Sequence, residues 1–456
     1  MQETVYTEIR RLSSTEVETL KRKAYERIRF WKTHKTKQAL LVTGARQVGK
    51  TFIIEEFGRA EYKHMVEFNL VLDDDARRSF AQATSPDDLL FRISVAASEP
   101  LVPRETLVFL DEIQQCPQIV TLIKGLVDRG DYDYVLSGSL LGVELEDVRS
   151  LPVGYLDEFT MYPLDFEEFC WANGLVETAF DVVRECFANT SEVPDFIHRR
   201  FTDLFHRYLL VGGMPAAVTS FIKNNTLDPV RAIQSNIRTY YEHDIKQYAP
   251  KENRLTIQEI YRLIPNELQS QNRRFRISSI TDVKRFSQIE DEFLWLTGAN
   301  VALPVFNASA PIAPLRANSE RRLMKLFYSD VGLLVGSYGK KSALGILDGN
   351  AAMNMGGVYE NVTAQELVAH GFDHLYYFTK KDVGELDFLI ETDDGDILAL
   401  EIKSGARFRS HTALDNALSK SGYDIDKAYV LAETNVSEQD GVTYLPMYML
   451  SMLRNE

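Results

Sequence analysis

Cysteine is scarce in this chain of 456 residues: Cys116, Cys170 and Cys186 are odd in number and show no C-x-x-C spacing. That excludes a disulfide framework and a cysteine zinc site, and it points to a reducing compartment, the cytoplasm. Long apolar runs are missing as well. Nothing approaches the roughly eighteen residues of a membrane span, and the opening stretch MQETVYTEIRRL has no apolar signal core, so no membrane partner is expected. Basic residues are not in excess: 51 Lys and Arg face 66 Asp and Glu, a net charge of −15. A global electrostatic footprint for nucleic acid is therefore absent, although a local basic groove can still form. What is present, 45% apolar and 26% charged residues, is the composition of a globular chain. The length suggests about two to four domains.

The most informative stretch is GARQVGKT, Gly44, Ala45, Arg46, Gln47, Val48, Gly49, Lys50 and Thr51, behind the apolar run that ends at Thr43. A buried strand, a glycine-bounded loop and an amphipathic segment to Phe57 follow one another, the context a phosphate loop requires. The glycines let successive N–H groups turn inward, and the helix adds its positive end. Lys50 can reach β and γ phosphates, and the Thr51 hydroxyl can ligate Mg²⁺. The expected ligand is ATP.

Further on, the apolar strand beginning at Thr106 ends in Asp111 and Glu112. At the same sheet edge, Asp111 can hold Mg²⁺ and Glu112 can polarise a water aimed at the γ phosphate. The interval between Thr51 and Asp111 leaves room for an additional strand and helix. Tyr132 to Leu136 reads as the next strand, with Ser137 and Ser139 at its end; Ser137 is the better candidate for sensing the γ phosphate, and a turn serine explains it equally well. The acidic run Asp73 to Asp75 reads as a solvated turn. Helices are expected at Ser14 to Trp31, Leu89 to Ala97, Phe201 to Leu210, Pro229 to Lys246, Ile257 to Leu268 and Thr281 to Leu296, and a strand at Val301 to Val305. His243 and Asp244 read as helix-surface polar residues as readily as a catalytic dyad.

The motifs GARQVGKT, FLDEIQ, VLSGSLLG, the segment from Val153 through Phe169, and YLLVGGMPAAV resemble a prokaryotic AAA-type ATPase group. Its C-terminal domain, long labelled as of unknown function, is similar to the PD-(D/E)XK nuclease fold. The likeness covers nearly the whole chain. It implies an α/β fold: a P-loop NTPase sheet with helices (1–172), a helical, winged-helix middle (173–337) and a restriction-endonuclease-like α/β domain (338–456). The group often has Arg or Lys after the glycine matching Gly154, where this chain has Tyr155, so Arg149 and Arg46 are the candidate replacement cations. Such ATPases often form rings with an arginine supplied in trans, which makes an oligomer an open expectation.

In the middle part, Arg273, Arg274 and Arg276 lie near the second helix of the expected winged helix, where they could touch a phosphate backbone. Packing on the ATPase accounts for that region equally well. Phe166, Phe169 and Trp171 are expected to pack against the ATPase core, and 336–350 reads as a mobile linker. Toward the C-terminus, Asp393 to Gly395 closes a hairpin that pairs Phe388 with Leu400 and Ile390 with Leu398. Asp387 then falls opposite Glu401 on the other face, joined by Lys403 through the period of two. Two such carboxylates call for a cation between them, Mg²⁺ or Mn²⁺, with Lys403 orienting water or neutralising phosphate charge. The resemblance adds Glu360 as the helix glutamate of that site.

The expected function is Mg²⁺-dependent ATP binding and hydrolysis, coupled to a C-terminal domain that acts on or binds DNA or RNA. The alternative is an ATP-driven switch that recruits a protein partner on a noncutting platform. A phosphotransferase is a third reading.

Overall fold

The structure, a computed structural model, describes residues 20–139, 154–270, 273–281, 283, 285–347, 354–405 and 407–455, without the side chains of 321 and 322. Two sheets organise it. The first runs in the order β2-β3-β4-β1-β5, with β1 Ala39–Thr43, β2 His64–Asn69, β3 Thr106–Asp111, β4 Asp133–Ser137 and β5 Leu156–Thr160. Every pairing in it is parallel. Parallel strands need crossovers, so helices cover both faces, and β1 and β3 are buried along their whole length. Because all strands point one way, the segments after β1, β3 and β4 meet at one sheet edge, where a doubly wound sheet binds its ligand. The insertion expected between Thr51 and Asp111 is β2 with helices Asp74–Ala81 and Pro86–Ala96. Asp73 caps the first of these by accepting from Ala76 N, which gives the acidic run a structural role beyond a solvated turn.

The second sheet has eight strands in the order β12-β13-β11-β10-β9-β8-β6-β7. Here β6 is Ala302–Ala308, β7 Ser319–Tyr328, β8 Leu375–Lys380, β9 Gly384–Glu391, β10 Ile397–Ile402, β11 Lys427–Ala432, β12 Ser437–Gln439 and β13 Val442–Pro446. The β9–β10 register pairs Phe388 with Leu400 and Ile390 with Leu398, as the hairpin pattern required. Gly395 sits at φ 89° in the turn, and its N–H donates to Thr392 O.

Four expectations need correction. The strand expected to start a wing is β6, which pairs with β7 on one side and β8 on the other. It carries apolar side chains on both faces, Val305 in one core and Ala308 in another, so it belongs inside a sheet and not on an exposed wing. The expected division between 337 and 338 therefore runs through a single sheet. The helix expected over 281–296 is Glu290–Gly298, preceded by a 3₁₀ turn at Phe286–Gln288, with Ile289 in neither helical nor extended conformation (φ −139°, ψ 15°) between them. The linker expected at 336–350 contains a helix, Lys340–Leu344; its last residues, 348–350, lie outside the described part.

Helices Asp195–Val211, Pro215–Asn224, Leu227–Tyr248 and Arg254–Gln269 fill the space between the sheets. One apolar cluster runs unbroken from Leu40 and Val42 of β1 through Phe166, Phe169, Phe201 and Tyr208 to Val358 and Phe388. Phe166 packs edge-on to Phe201 and Phe205, the core role expected of the aromatic segment. Separate clusters cover the outer faces of the two sheets.

Candidate nucleotide site and C-terminal acid cluster

Gly44 leaves β1 at φ 131°, and a Cβ there would lie 2.2 Å from Met161 O, so only glycine allows the loop to pass. Gln47 (φ 67°) and Gly49 (φ 98°) complete the turn, and helix Lys50–Glu61 begins directly. Arg22 braces the loop from behind, donating from Nη1 to Val48 O (2.9 Å), from Nη2 to Tyr162 O (2.8 Å) and from Nε to Glu168 Oε2 (3.1 Å). Lys50 folds over the loop and donates to Gly44 O and Ala45 O, both at 2.8 Å. Burial lowers its pKa to about 8, against the opposing charges of Glu112 and Asp111.

Asp111 is the hub. Its Oδ2 accepts from Thr51 Oγ1 (2.9 Å) and Asn69 Nδ2 (2.9 Å), and its Oδ1 accepts from Ser137 Oγ. Burial, reinforced by Glu112, raises its pKa. A buried carboxylate beside a threonine hydroxyl, flanked by a second acid, is a donor set that fits Mg²⁺. Glu112 turns out of the strand at φ 57°, a left-handed conformation uncommon outside glycine. Its Oε2 accepts from Gln114 Nε2 and from Ser139 Oγ (3.4 Å).

The sequence reading preferred Ser137 as the residue facing the phosphate. Ser137 is instead fully buried on Asp111, while Ser139 bridges Glu112 to Arg46 Nε (3.3 Å). Asp244, expected at a helix surface or in a dyad with His243, is instead buried on Arg46, whose Nη1 pairs with Asp244 Oδ1 (2.7 Å) and whose Nη2 donates to Tyr248 OH (3.2 Å). Burial lifts Asp244 to about 6, with Arg46 and Lys50 pulling down and Glu112 pushing up. The signal was a spacing: Tyr241, Asp244 and Tyr248 share one helix face. Arg149 lies outside the described residues.

At the second site Asp387, Glu401 and Lys403 come together. Asp387 Oδ2 accepts from Ile402 N (2.8 Å), and Lys403 Nζ donates to Glu401 Oε1 (2.7 Å). Burial and then the Asp387 charge raise Glu401 to about 7, and its Oε2 is buried without a partner. Glu360 departs from expectation. It is fully buried, and Lys325 Nζ, equally buried, donates to its Oε2 at 3.0 Å while Arg273 Nη1 contacts its Oε1. Lys325 also pairs with Glu385 Oε1 (2.9 Å) and lies 3.9 Å from Asp387 Oδ1, as does Arg273 Nη1.

Two tethered cations thus engage Glu360 and approach Asp387, while Glu401 pairs with Lys403. Among the described residues no group of three His, Cys, Asp or Glu side chains is arranged to hold one. Glu360 is therefore committed to two cations and stands apart from Asp387 and Glu401, which remain side by side. The legible signal was Lys325 itself, a lysine between the apolar residues Met324 and Leu326, which when buried requires a counter-charge. The other arginines expected at a phosphate backbone are engaged as well: Arg274 Nη2 with Glu385 (2.7 Å) and Thr379 (2.9 Å), Arg276 with Glu267 (3.0 Å).

The family model described as an AAA domain matches residues 36–170, and two different domains of unknown function match 202–343 and 355–450. Among curated proteins none matches significantly. Solved structures with detectable likeness include the Walker-type ATPase of Pyrococcus abyssi (13% identity, 70% of this chain and 96% of that one, TM-score 0.39). Others are the Orc1 protein of Aeropyrum pernix in complex with DNA (12%, 71% and 90%, 0.28) and AMPPCP-bound DnaA from Aquifex aeolicus (14%, 56% and 80%, 0.28). Superposition at this level fixes no shared arrangement of the three parts. Residues 36–170 are an AAA-type P-loop ATPase domain, of the class that binds and hydrolyses nucleotide. No helix among the described residues is long and apolar enough to cross a membrane.

Proposed function

We propose that this chain is an Mg²⁺-dependent ATPase that works as a switch, with its C-terminal α/β part serving as a platform that binds without cutting. The observation that carries the reading is the meeting of Lys50, Thr51, Asp111 and Glu112 at one edge of the parallel sheet, where β1 and β3 flank β4. In this reading Lys50 leaves its loop carbonyls for the β and γ phosphates, and Thr51 and Asp111 hold Mg²⁺. The ion supplies charge neutralisation on the phosphate oxygens. Glu112 orients the attacking water and accepts its proton, and the Gln114 and Ser139 contacts hold its carboxylate for that task. Steady-state phosphate release tests it: Lys50→Ala abolishes turnover and weakens ATP binding, while Glu112→Gln keeps binding and lowers turnover by about 10²-fold or more. Ordinary turnover in Glu112→Gln overturns the assignment.

The platform reading rests on Lys325 and Arg273, which bind Glu360 and withdraw it from the carboxylates that a metal would need. A second reading keeps a PD-(D/E)XK-like nuclease, and one observation favours it: Glu401 Oε2 has no partner beside Asp387 and Lys403. Incubation of single- and double-stranded DNA and RNA with Mg²⁺ or Mn²⁺ separates the two. Binding without cleavage is the platform result; cleavage that Asp387→Ala removes establishes the nuclease. A protein partner is the remaining class, expected if no nucleic acid binds.

A further inference from the structure

Arg46 is a phosphate-loop residue, yet its side chain turns away to the helix Leu227–Tyr248. Tyr241, Asp244 and Tyr248 lie on one face of that helix and hold Arg46 from three directions. The Tyr241 hydroxyl donates to Arg46 O (3.0 Å), Asp244 Oδ1 accepts from Nη1 (2.7 Å), and Tyr248 OH accepts from Nη2 (3.2 Å). The Tyr248 ring also lies against the guanidinium, its centroid 5.2 Å from Cζ. The fourth arm of the contact, Nε to Ser139 Oγ (3.3 Å), continues to Glu112 Oε2 (3.4 Å). One guanidinium therefore ties a distant helix to the loop that receives the phosphates and to the acid that would activate water.

Asp244 is buried, and it stands close enough to Lys50 and Glu112 for their charges to act on it. A triphosphate drawn in by Lys50 brings more negative charge to the same space. Asp244 and the phosphates then compete for Arg46, and like charges that close repel. The helix end has somewhere to send that event. Arg238 on the same helix donates to Leu333 O (3.0 Å) and Gly336 O (3.2 Å), and Arg231 donates to Tyr338 O (2.7 Å). Those acceptors lie just after β7, the edge of the eight-stranded sheet.

We propose that Asp244 is a latch on the nucleotide site that distinguishes ATP from ADP: it holds Arg46 in the nucleotide-free protein, and a bound γ phosphate takes Arg46 from it and loosens the end of helix Leu227–Tyr248. Asp244 is thus a positioning residue, acting on phosphate through Arg46. The proposal rests on the ATPase reading and deepens it by naming the element that reads the nucleotide state.

The test is equilibrium binding of AMP-PNP and of ADP, each with Mg²⁺, to wild type and Asp244→Asn. Amide hydrogen exchange over 237–248 is followed in the same samples. Removing the competing charge tightens AMP-PNP by about 5-fold or more and changes ADP far less. In wild type, AMP-PNP and not ADP raises exchange at the helix end, and Asp244→Asn exchanges at that raised level with no nucleotide. An equal shift for both nucleotides, or exchange in wild type that ignores AMP-PNP, overturns the latch while leaving the ATPase reading intact. A wild type that binds neither nucleotide overturns the ATPase reading, and the latch with it. The wild-type exchange measurement decides the matter even if the variant fails to fold.

Discussion

Lys50 shows how one residue's surroundings set a measurable property. Its ammonium is buried against carbonyl oxygens, and that burial lowers its pKa to about 8. Only the charged form attracts phosphate, so nucleotide affinity is full below that value and falls as pH rises through and beyond it. Titrating ATP affinity between pH 7 and pH 9.5 should show the decline, and Lys50→Arg should flatten it. Glu401 works with the opposite sign. Burial and the neighbouring Asp387 raise its folded-state pKa to about 7, so its contribution to stability is present at low pH and lost as pH climbs toward that value. Glu401→Gln should therefore raise Tm by roughly 2–4 °C at pH 8 and change it less at pH 5; a gain larger at pH 5 contradicts the assignment. Both positions were legible in the sequence as members of motifs. The charged partners of the residues beside them were not, since Asp244 lies far along the chain from Arg46 and Lys325 from Glu360, and motif spacing reports only local neighbours.

At the scale of elements, the turn Gly212–Gly213 shows why the segment resists substitution. Gly213 O accepts from Leu164 N (2.7 Å), and a Cβ on Gly213 would fall 1.9 Å from Leu164 O. Asp330 Oδ2 accepts from Gly213 N (2.6 Å) on the other side, so the turn cannot shift away. Gly213→Ala should cost at least about 2 kcal/mol in a urea unfolding curve; Gly174→Ala, where a Cβ meets nothing within 4 Å but φ is 76°, should cost less. The glycine pair before Met214 and Pro215 is itself a turn signal between two helical patterns. The sequence also marked the hairpin at Asp393–Gly395, because alternation and turn chemistry fix a register between neighbours in sequence. It misread β6, since a short apolar strand looks the same whether it ends in a wing or joins a sheet whose other strands come seventy residues later.

Across the whole molecule, the ATPase segment and the C-terminal helix Met355–Ala369 share buried polar contacts. Glu366 Oε1 accepts from Phe166 N (3.0 Å) and Tyr208 OH (2.9 Å), joining three parts of the chain at one carboxylate. Nearby, burial pushes Asp165 up, yet Lys23 and His370 outweigh it and hold that carboxyl down. Removing the acceptor strands the buried Phe166 N–H, worth about 1–3 kcal/mol, while the Tyr208 hydroxyl keeps Leu164 O as its acceptor (2.7 Å). Glu366→Ala should lower Tm and split a single calorimetric transition into two, while Glu366→Gln, which retains a carbonyl acceptor, should be milder. A single unshifted transition in Glu366→Ala would show that the parts hold together by other means.

Features that depend on near neighbours can be read along the chain: the phosphate loop, the strand ending in Asp111 and Glu112, the hairpin that aligns Asp387 with Glu401. Strand alternation, glycine's access to positive φ and the start of a helix operate over a few residues, so their pattern is written in order along the chain. The tertiary structure alone decided which charges meet. It gave Arg46 to Asp244, gave Glu360 to Lys325 and Arg273, and drew β6 and β7 into the C-terminal sheet. Those outcomes follow from burying charge and apolar surface in three dimensions, where the partner of a buried group is set by the packing of whole elements and leaves no periodic trace.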